Sequence, residues 1–119
     1  MNHIGIDIIE IDRIELVVEK WGKRFLNRIY TEAELKICES RIPSLAARFA
    51  AKEAIMKVLG TGARGINWRE IEILADARGK PLVRLCGKAE NRARELNLSE
   101  FSISLSDTRR YAVAAAIGA

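Results

Sequence analysis

The sequence predicts an α+β fold in which a mainly antiparallel sheet packs with one long helix and shorter helices. Three observations carry that expectation. A short, branched, apolar segment, Ile4 to Ile9, opens the chain; helical periodicities follow, ending in the alanine-rich "RFAAKEAIMKVLGTG" of Arg48 to Gly62; and the second half alternates apolar and polar residues in short segments joined by turn residues. A strand, then helices, then hairpins with one helix is an α+β order. The 119 residues suit a single domain, 1–119, with one core, and they contain no internal repeat, low-complexity segment or long linker.

Each element has a local reason. "IGIDII" reads as a buried strand interrupted by Asp7. Ile14, Val17, Val18 and Trp21 fall at helical spacing over Arg13 to Trp21, and Phe25, Leu26, Ile29 and Tyr30 suggest a further turn or two. Thr31 with Glu34 fits a capping box that opens a short helix through about Glu39, and Pro43 and Ser44 precede the long helix. After Gly62, "INWREIEIL" alternates, with Ile71 and Ile73 on one face and Glu70 and Glu72 on the other. "DARGKP" has turn composition, and "LVRLCG" returns. Lys88 to Leu96 can form a surface helix; "FSISLS" points Phe101, Ile103 and Leu105 inward; "DTRR" turns the chain into the apolar strand "YAVAAAI".

Composition excludes several function classes. The chain is 49% hydrophobic and 30% charged, the balance of a soluble globular protein, and no apolar run approaches the roughly 20 residues that cross a bilayer. The start has neither a basic n-region nor a small-residue cleavage site, so a cytoplasmic protein is expected. Cys38 and Cys86 lack metal-ligand spacing and read as free thiols in a reducing compartment. With His3 as the single histidine, a histidine-rich zinc site is impossible and a Ser-His-Asp triad would sit two residues from the chain start. Any chemistry therefore falls to carboxylates, lysines or a metal. The net charge of +4 is dispersed and favours an acidic partner or an anionic ligand.

Two carboxylates stand out. Asp7 interrupts an apolar strand, which is expensive unless the group is paired or bound to a metal. On the long helix Ala47, Ala50, Ala51, Ala54, Ile55 and Val58 cover one face, and Glu53 and Lys57 lie together on its flank, within roughly 40° of each other. Lys52 points away, one turn after Arg48. A plain Glu53–Lys57 ion pair, worth about 0.2–0.5 kcal/mol when exposed, is one reading. The other is an oxygen-ligand metal site that handles phosphate, since magnesium takes one or two carboxylates and completes its shell with water and phosphate oxygens. Gly60 and Gly62 either cap the helix or let backbone amides approach an anion.

With both segments in view, the sequence resembles the holo-acyl-carrier-protein synthase family, the small bacterial 4′-phosphopantetheinyl transferases. "GIDIIEIDRI" at Gly5 to Ile14 is similar to the family's opening strand with its metal-binding Asp. "RFAAKEAIMKVLGTG" is similar to its signature helix, F-x-x-K-E-A followed by a lysine and G-T-G. "GKP" at Gly79 to Pro81 and "SISLSDT" at Ser102 to Thr108 fall where the family has its later hairpin and phosphate-contacting turn. The resemblance implies a phosphopantetheinyl transferase fold and the transfer of the phosphopantetheine arm from coenzyme A to a serine of acyl carrier protein, releasing 3′,5′-ADP, in support of fatty acid biosynthesis. It implies Asp7 and Glu53 as ligands of Mg²⁺, with Mn²⁺ an open alternative. Asp7, Glu53 and Lys57 would be catalytic; Lys57, Gly60, Thr61, Gly62, Thr108 and, more weakly, Lys52 would bind coenzyme A. Arg13, Arg24 and Arg28 resemble the surface that docks the acidic carrier protein. A homotrimer with active sites at subunit boundaries is implied as well. No nucleic acid or membrane partner is expected.

One position departs from the pattern. Asp107 stands where many members carry a histidine in S-x-S-H-T or S-I-T-H-T. It either faces solvent or joins the metal as a third carboxylate. The competing reading from another class is a basic docking module without chemistry, against which the 6% aromatic content and the lack of a basic stripe count for nucleic-acid stacking.

Overall fold

The alanine-rich segment becomes a helix, Ile42–Leu59, that the rest of the chain surrounds. In the computed structural model, which describes residues 1–62 and 64–119, the elements run β1 (His3–Glu10), α1 (Ile11–Trp21), α2 (Lys23–Ile29), α3 (Glu32–Cys38), α4 (Ile42–Leu59), a 3-10 turn (Trp68–Glu70), β2 (Ile71–Ala75), β3 (Pro81–Leu85), α5 (Gly87–Glu95), β4 (Phe101–Asp107) and β5 (Tyr111–Gly118). The α+β expectation is met, but the antiparallel strands form two sheets: β1–β5–β4 and the hairpin β2–β3.

Small residues on both sides let α4 lie close on the three-stranded sheet. Ala46, Ala50, Ala51 and Ala54 are fully buried on the helix, and Ala112, Ala114 and Ala116 of β5 are buried on the sheet. Gly5 sits in the register row of Ala116 and Ile103. A Cβ on Gly5 would collide with the backbone carbonyl of Ala54 and stand 3.1 Å from Val58 Cγ2. Backbone therefore meets backbone there, and only glycine fits.

Three local expectations change. The first strand is not buried on both faces: Ile4, Ile6 and Ile8 are 72%, 60% and 61% exposed, whereas Gly5 and Ile9 face the helix. Its run of isoleucines hides a period of two in which glycine and Asp7 occupy the inner face. Pro43 and Ser44 lie within the first turn of α4, not before it. Proline is tolerated there because the first N–H groups of a helix have no partner in the helix. Finally, α4 is buried nearly all round: Arg48 and Lys52, opposite the alanine face, are 8% and 0% exposed. The α3 capping box forms as expected, with Thr31 Oγ1 accepting from Glu34 N–H and the Glu34 carboxylate from Thr31 N–H.

Candidate active site

The contact between Gly5 and Ala54 brings Asp7, two residues along β1 on the same face, to the turn of α4 that carries Glu53 and Lys57. The Lys57 ammonium donates to the Ile6 carbonyl at 2.7 Å and to Asp7 Oδ1 at 3.3 Å. The ion pair is therefore between Lys57 and Asp7, across helix and strand, and not between Lys57 and its helical neighbour Glu53. The Asp7 side chain is 12% exposed and that of Lys57 54%, so the acid lies inside and its cation faces outward. One of the three ammonium donors is left for a ligand.

Glu53 faces Asp7 closely enough for the two carboxyls to share a hydrogen bond. Burial, then the Asp7 charge and that hydrogen bond, push Glu53 up to about 7, against the smaller pull of Lys57 and Arg13. Two partly buried acids that cannot both ionise cheaply make a place for a cation. Beside them opens a cleft of about 200 Å³ lined by Glu53, Met56, Lys57, Gly62 and Trp68. A larger groove of about 370 Å³, bounded by Val18, Leu26, Leu35 and Leu45, contains none of the expected site residues.

The remaining expected residues divide. Gly60 adopts φ 71° and caps α4, its N–H and that of Thr61 bonding back to Lys57 O and Met56 O. That is the cap reading. Gly62, at φ 58° with open space where a Cβ would stand, also lines the cleft. Lys52 is corrected: its ammonium is fully buried, 2.7 Å from Glu34 Oε1, and also donates to Ile71 O and Trp68 O, so no donor remains for a phosphate. Burial pulls its pKa down and Glu34 holds it up. Thr108 is exposed, and its hydroxyl accepts from the Arg110 and Tyr111 N–H groups, fixing the β4–β5 turn away from the cleft lining. Asp107 is exposed, in the row of Ala112 and Ile9, two residues along and two strands across from Asp7, about 12 Å by strand geometry. Within one chain it does not join Asp7 and Glu53, and among the described residues no group of three possible metal ligands forms.

Arg13, on α1, is near enough to Glu53 to influence its charge. Arg24 and Arg28 flank a separate hollow of about 340 Å³ with Val17, Trp21 and Phe25, where the Arg24 guanidinium stands 5.6 Å from the Trp21 ring. Sequence reasoning missed Trp68, which lines the cleft and stacks on Phe49 of α4 at 4.8 Å. It also missed Arg92, whose guanidinium donates to the Leu59 carbonyl at the end of α4. Neither carries a spacing signal, because Trp68 reaches the cleft, and Arg92 the end of α4, from separate elements.

Comparison with known proteins identifies the family. Residues 3–116 match the family model of the 4′-phosphopantetheinyl transferase superfamily. A holo-[acyl-carrier-protein] synthase of Herpetosiphon aurantiacus is 50% identical over 121 residues, covering 96% of this chain and 95% of the relative. One from Dehalococcoides mccartyi is 51% identical over 114 residues, covering 96% and 95%. The crystal structure of the Helicobacter pylori holo-[acyl-carrier-protein] synthase in complex with coenzyme A superposes with a TM-score of 0.89 at 31% identity, over 98% of this chain and 99% of that one. That of the Neisseria meningitidis synthase gives 0.88 at 38% identity, over 98% and 97%. The chain belongs to the 4′-phosphopantetheinyl transferase superfamily, among its holo-[acyl-carrier-protein] synthases.

Proposed function

We propose that this chain transfers the 4′-phosphopantetheine arm of coenzyme A to a serine hydroxyl of an acyl carrier protein in support of fatty acid biosynthesis. The observation that carries the reading is the convergence of Asp7, Glu53 and Lys57 on one cleft edge beside the glycine turn, in a chain half identical to named holo-[acyl-carrier-protein] synthases. The serine oxygen attacks the phosphorus that bears the pantetheine arm, a P–O bond forms, the bond to the departing 3′,5′-ADP breaks, and the hydroxyl proton is released to water.

The residues fit a magnesium ion. Asp7 and Glu53 would hold it, and the upward push on Glu53 from burial and the Asp7 charge is what an added cation would relieve. Manganese suits the same oxygen donors. When bound, the ion neutralises phosphate charge at the leaving group. Lys57 supplies a fixed positive charge at the cleft mouth, oriented by Ile6 O and Asp7. Gly62 leaves backbone open to a phosphate, with Thr61 and the Gly60 cap setting the path of the turn. The hollow at Trp21, Arg24 and Arg28, with Arg13 on the same helix pair, suits an acidic, amphipathic carrier-protein helix.

A homotrimer is part of this reading. Ile4, Ile6, Ile8 and Ile117 form an exposed apolar face on the outer side of β1 and β5, larger than scattered surface residues explain. Sites at subunit boundaries would let Thr108 and Asp107 serve a neighbouring cleft.

Mass spectrometry of an apo carrier protein incubated with the chain, coenzyme A and Mg²⁺ is expected to show a phosphopantetheine-sized gain. Asp7→Asn, Glu53→Gln or a chelator should slow it by about a hundredfold or more; an undiminished rate would refute the metal assignment. Metal-free stability should fall as pH rises from the ordinary glutamate value of 4.5 through about 7, because the folded chain still holds the Glu53 proton that the unfolded chain has released. For a carboxyl this open to solvent the change is on the order of 1 kcal/mol. Denaturation curves should show it, Glu53→Gln should flatten it, and Mg²⁺ should reverse it. The paired change Arg24→Glu with Arg28→Glu should raise KM for carrier protein about tenfold or more while leaving KM for coenzyme A near its parent value. Equal effects on both substrates would reject the docking surface. Light scattering should give a trimer mass that Ile6→Glu reduces to a monomer; a monomeric parent chain would reject the assembly.

A further inference from the structure

We propose that Glu34 and Lys52 are positioning residues for the cleft, fixing Trp68 against the Glu53–Lys57 face of α4 without touching substrate. Both side chains are fully buried. The Lys52 ammonium spends its three donors on Glu34 Oε1 at 2.7 Å, Ile71 O at 2.6 Å and Trp68 O at 3.1 Å. The Glu34 carboxylate also accepts from Thr31 N–H and Ile73 N–H, each at 2.9 Å. One ion pair thus ties α3, α4, the 3-10 turn and β2 at a single point.

A buried ion pair is not needed for stability, since apolar replacements of equal volume are often neutral or better. What it adds is direction. Lys52 precedes Glu53 in sequence, so the turn of α4 that presents Glu53 to the cleft also holds, from its buried side, the backbone of a residue that lines the cleft. The Trp68 ring is half-buried, stacked on Phe49, with its outer part on the cleft. Releasing the Trp68 carbonyl leaves that stack as its main anchor and lets the cleft widen.

The kinetic arm of the test rests on the transfer reading, while the spectroscopic arm does not. The double variant Glu34→Gln with Lys52→Met removes the charges together and keeps an acceptor for the Ile73 N–H, so its melting temperature should stay within about 5 °C of the parent. Its KM for coenzyme A should rise about tenfold while kcat changes less than about threefold. In a Trp21→Phe background Trp68 is the sole tryptophan, and acrylamide quenching of its fluorescence should increase in the double variant. A folded double variant with parent KM and parent quenching overturns the proposal. Should that variant not fold, Lys52→Arg takes both readouts, because a planar fork keeps the charge but cannot reproduce three donations from one nitrogen. Trp68→Ala, with the pair intact, should raise KM about as far; an unchanged KM there overturns the proposal however the pair variants behave. If the parent chain transfers nothing, the transfer reading fails, and quenching with coenzyme A titration still decides the positioning.

Discussion

Everything in this fold that concerns chemistry depends on how closely α4 approaches the sheet. Helix and sheet usually pack with large side chains between them, which leaves their backbones about 10 Å apart and their side chains free to adjust. Here glycine and alanine make the closest part of the interlayer, with Val58 beside them. Gly5 lies against the Ala54 carbonyl, and Ala112, Ala114 and Ala116 face a helix whose own inner face is alanine. Such an interface gives up apolar area per residue, since alanine buries little. It gains a fixed distance, because short side chains have no rotamers to exchange. Asp7 and Glu53, 46 residues apart in sequence, are thereby held carboxyl to carboxyl.

That rigidity has an electrostatic cost. A flexible scaffold would let Asp7 and Glu53 swing apart into water; this one keeps Glu53 partly buried beside Asp7, and burial first, then the Asp7 charge, push it up to about 7. Among the described residues the one cation bonded to the pair, Lys57, is itself more than half exposed and is shared with a backbone carbonyl. The site is thus short of positive charge and open to solvent. On the proposed reading such an arrangement, unfavourable for the bare chain, would become favourable with a divalent ion and an anionic substrate bound, which is how a binding site differs from a structural ion pair. The Glu34–Lys52 pair shows the contrast. There every donor and acceptor is satisfied within the protein, and nothing remains to bind.

Much of this was legible in the sequence where the signal was local. The Thr31–Glu34 box, the Asp76–Lys80 turn and the alternation of β4 follow from neighbours within a few residues, and each appears as expected. The conflict at Asp7 was also readable, because a carboxylate among isoleucines is costly wherever the strand goes. What stayed hidden was long-range. No spacing along α4 shows that Glu34, 18 residues earlier, will meet Lys52, or that β2 will cover that face of the helix. The exposed side of β1 was misread because isoleucine suits both a core and an unpartnered face. Asp107 and Thr108 lie at the far end of their strand, and one chain gives them no ligand to serve.

The two lysines of α4 show how far role depends on phase. Lys52 and Lys57 are five residues apart, which on a helix is roughly 140° around the axis. One side chain therefore enters the interior while the other leaves it, and Glu53 lies between them, about 100° from the first and 40° from the second. Shifting either lysine by one position would turn its ammonium by about 100°, taking Lys52 away from Glu34 or Lys57 away from Asp7. The motif K-E-x-x-x-K is thus more than a cluster of charges near a phosphate. It is an angular arrangement in which one cation joins helix to scaffold, one acid faces the strand, and one cation faces the open cleft. Residue type alone could not have distinguished the first lysine from the last. Only the layers that pack on each side of α4 do so, and they are set by the alanine interface that holds the helix in place.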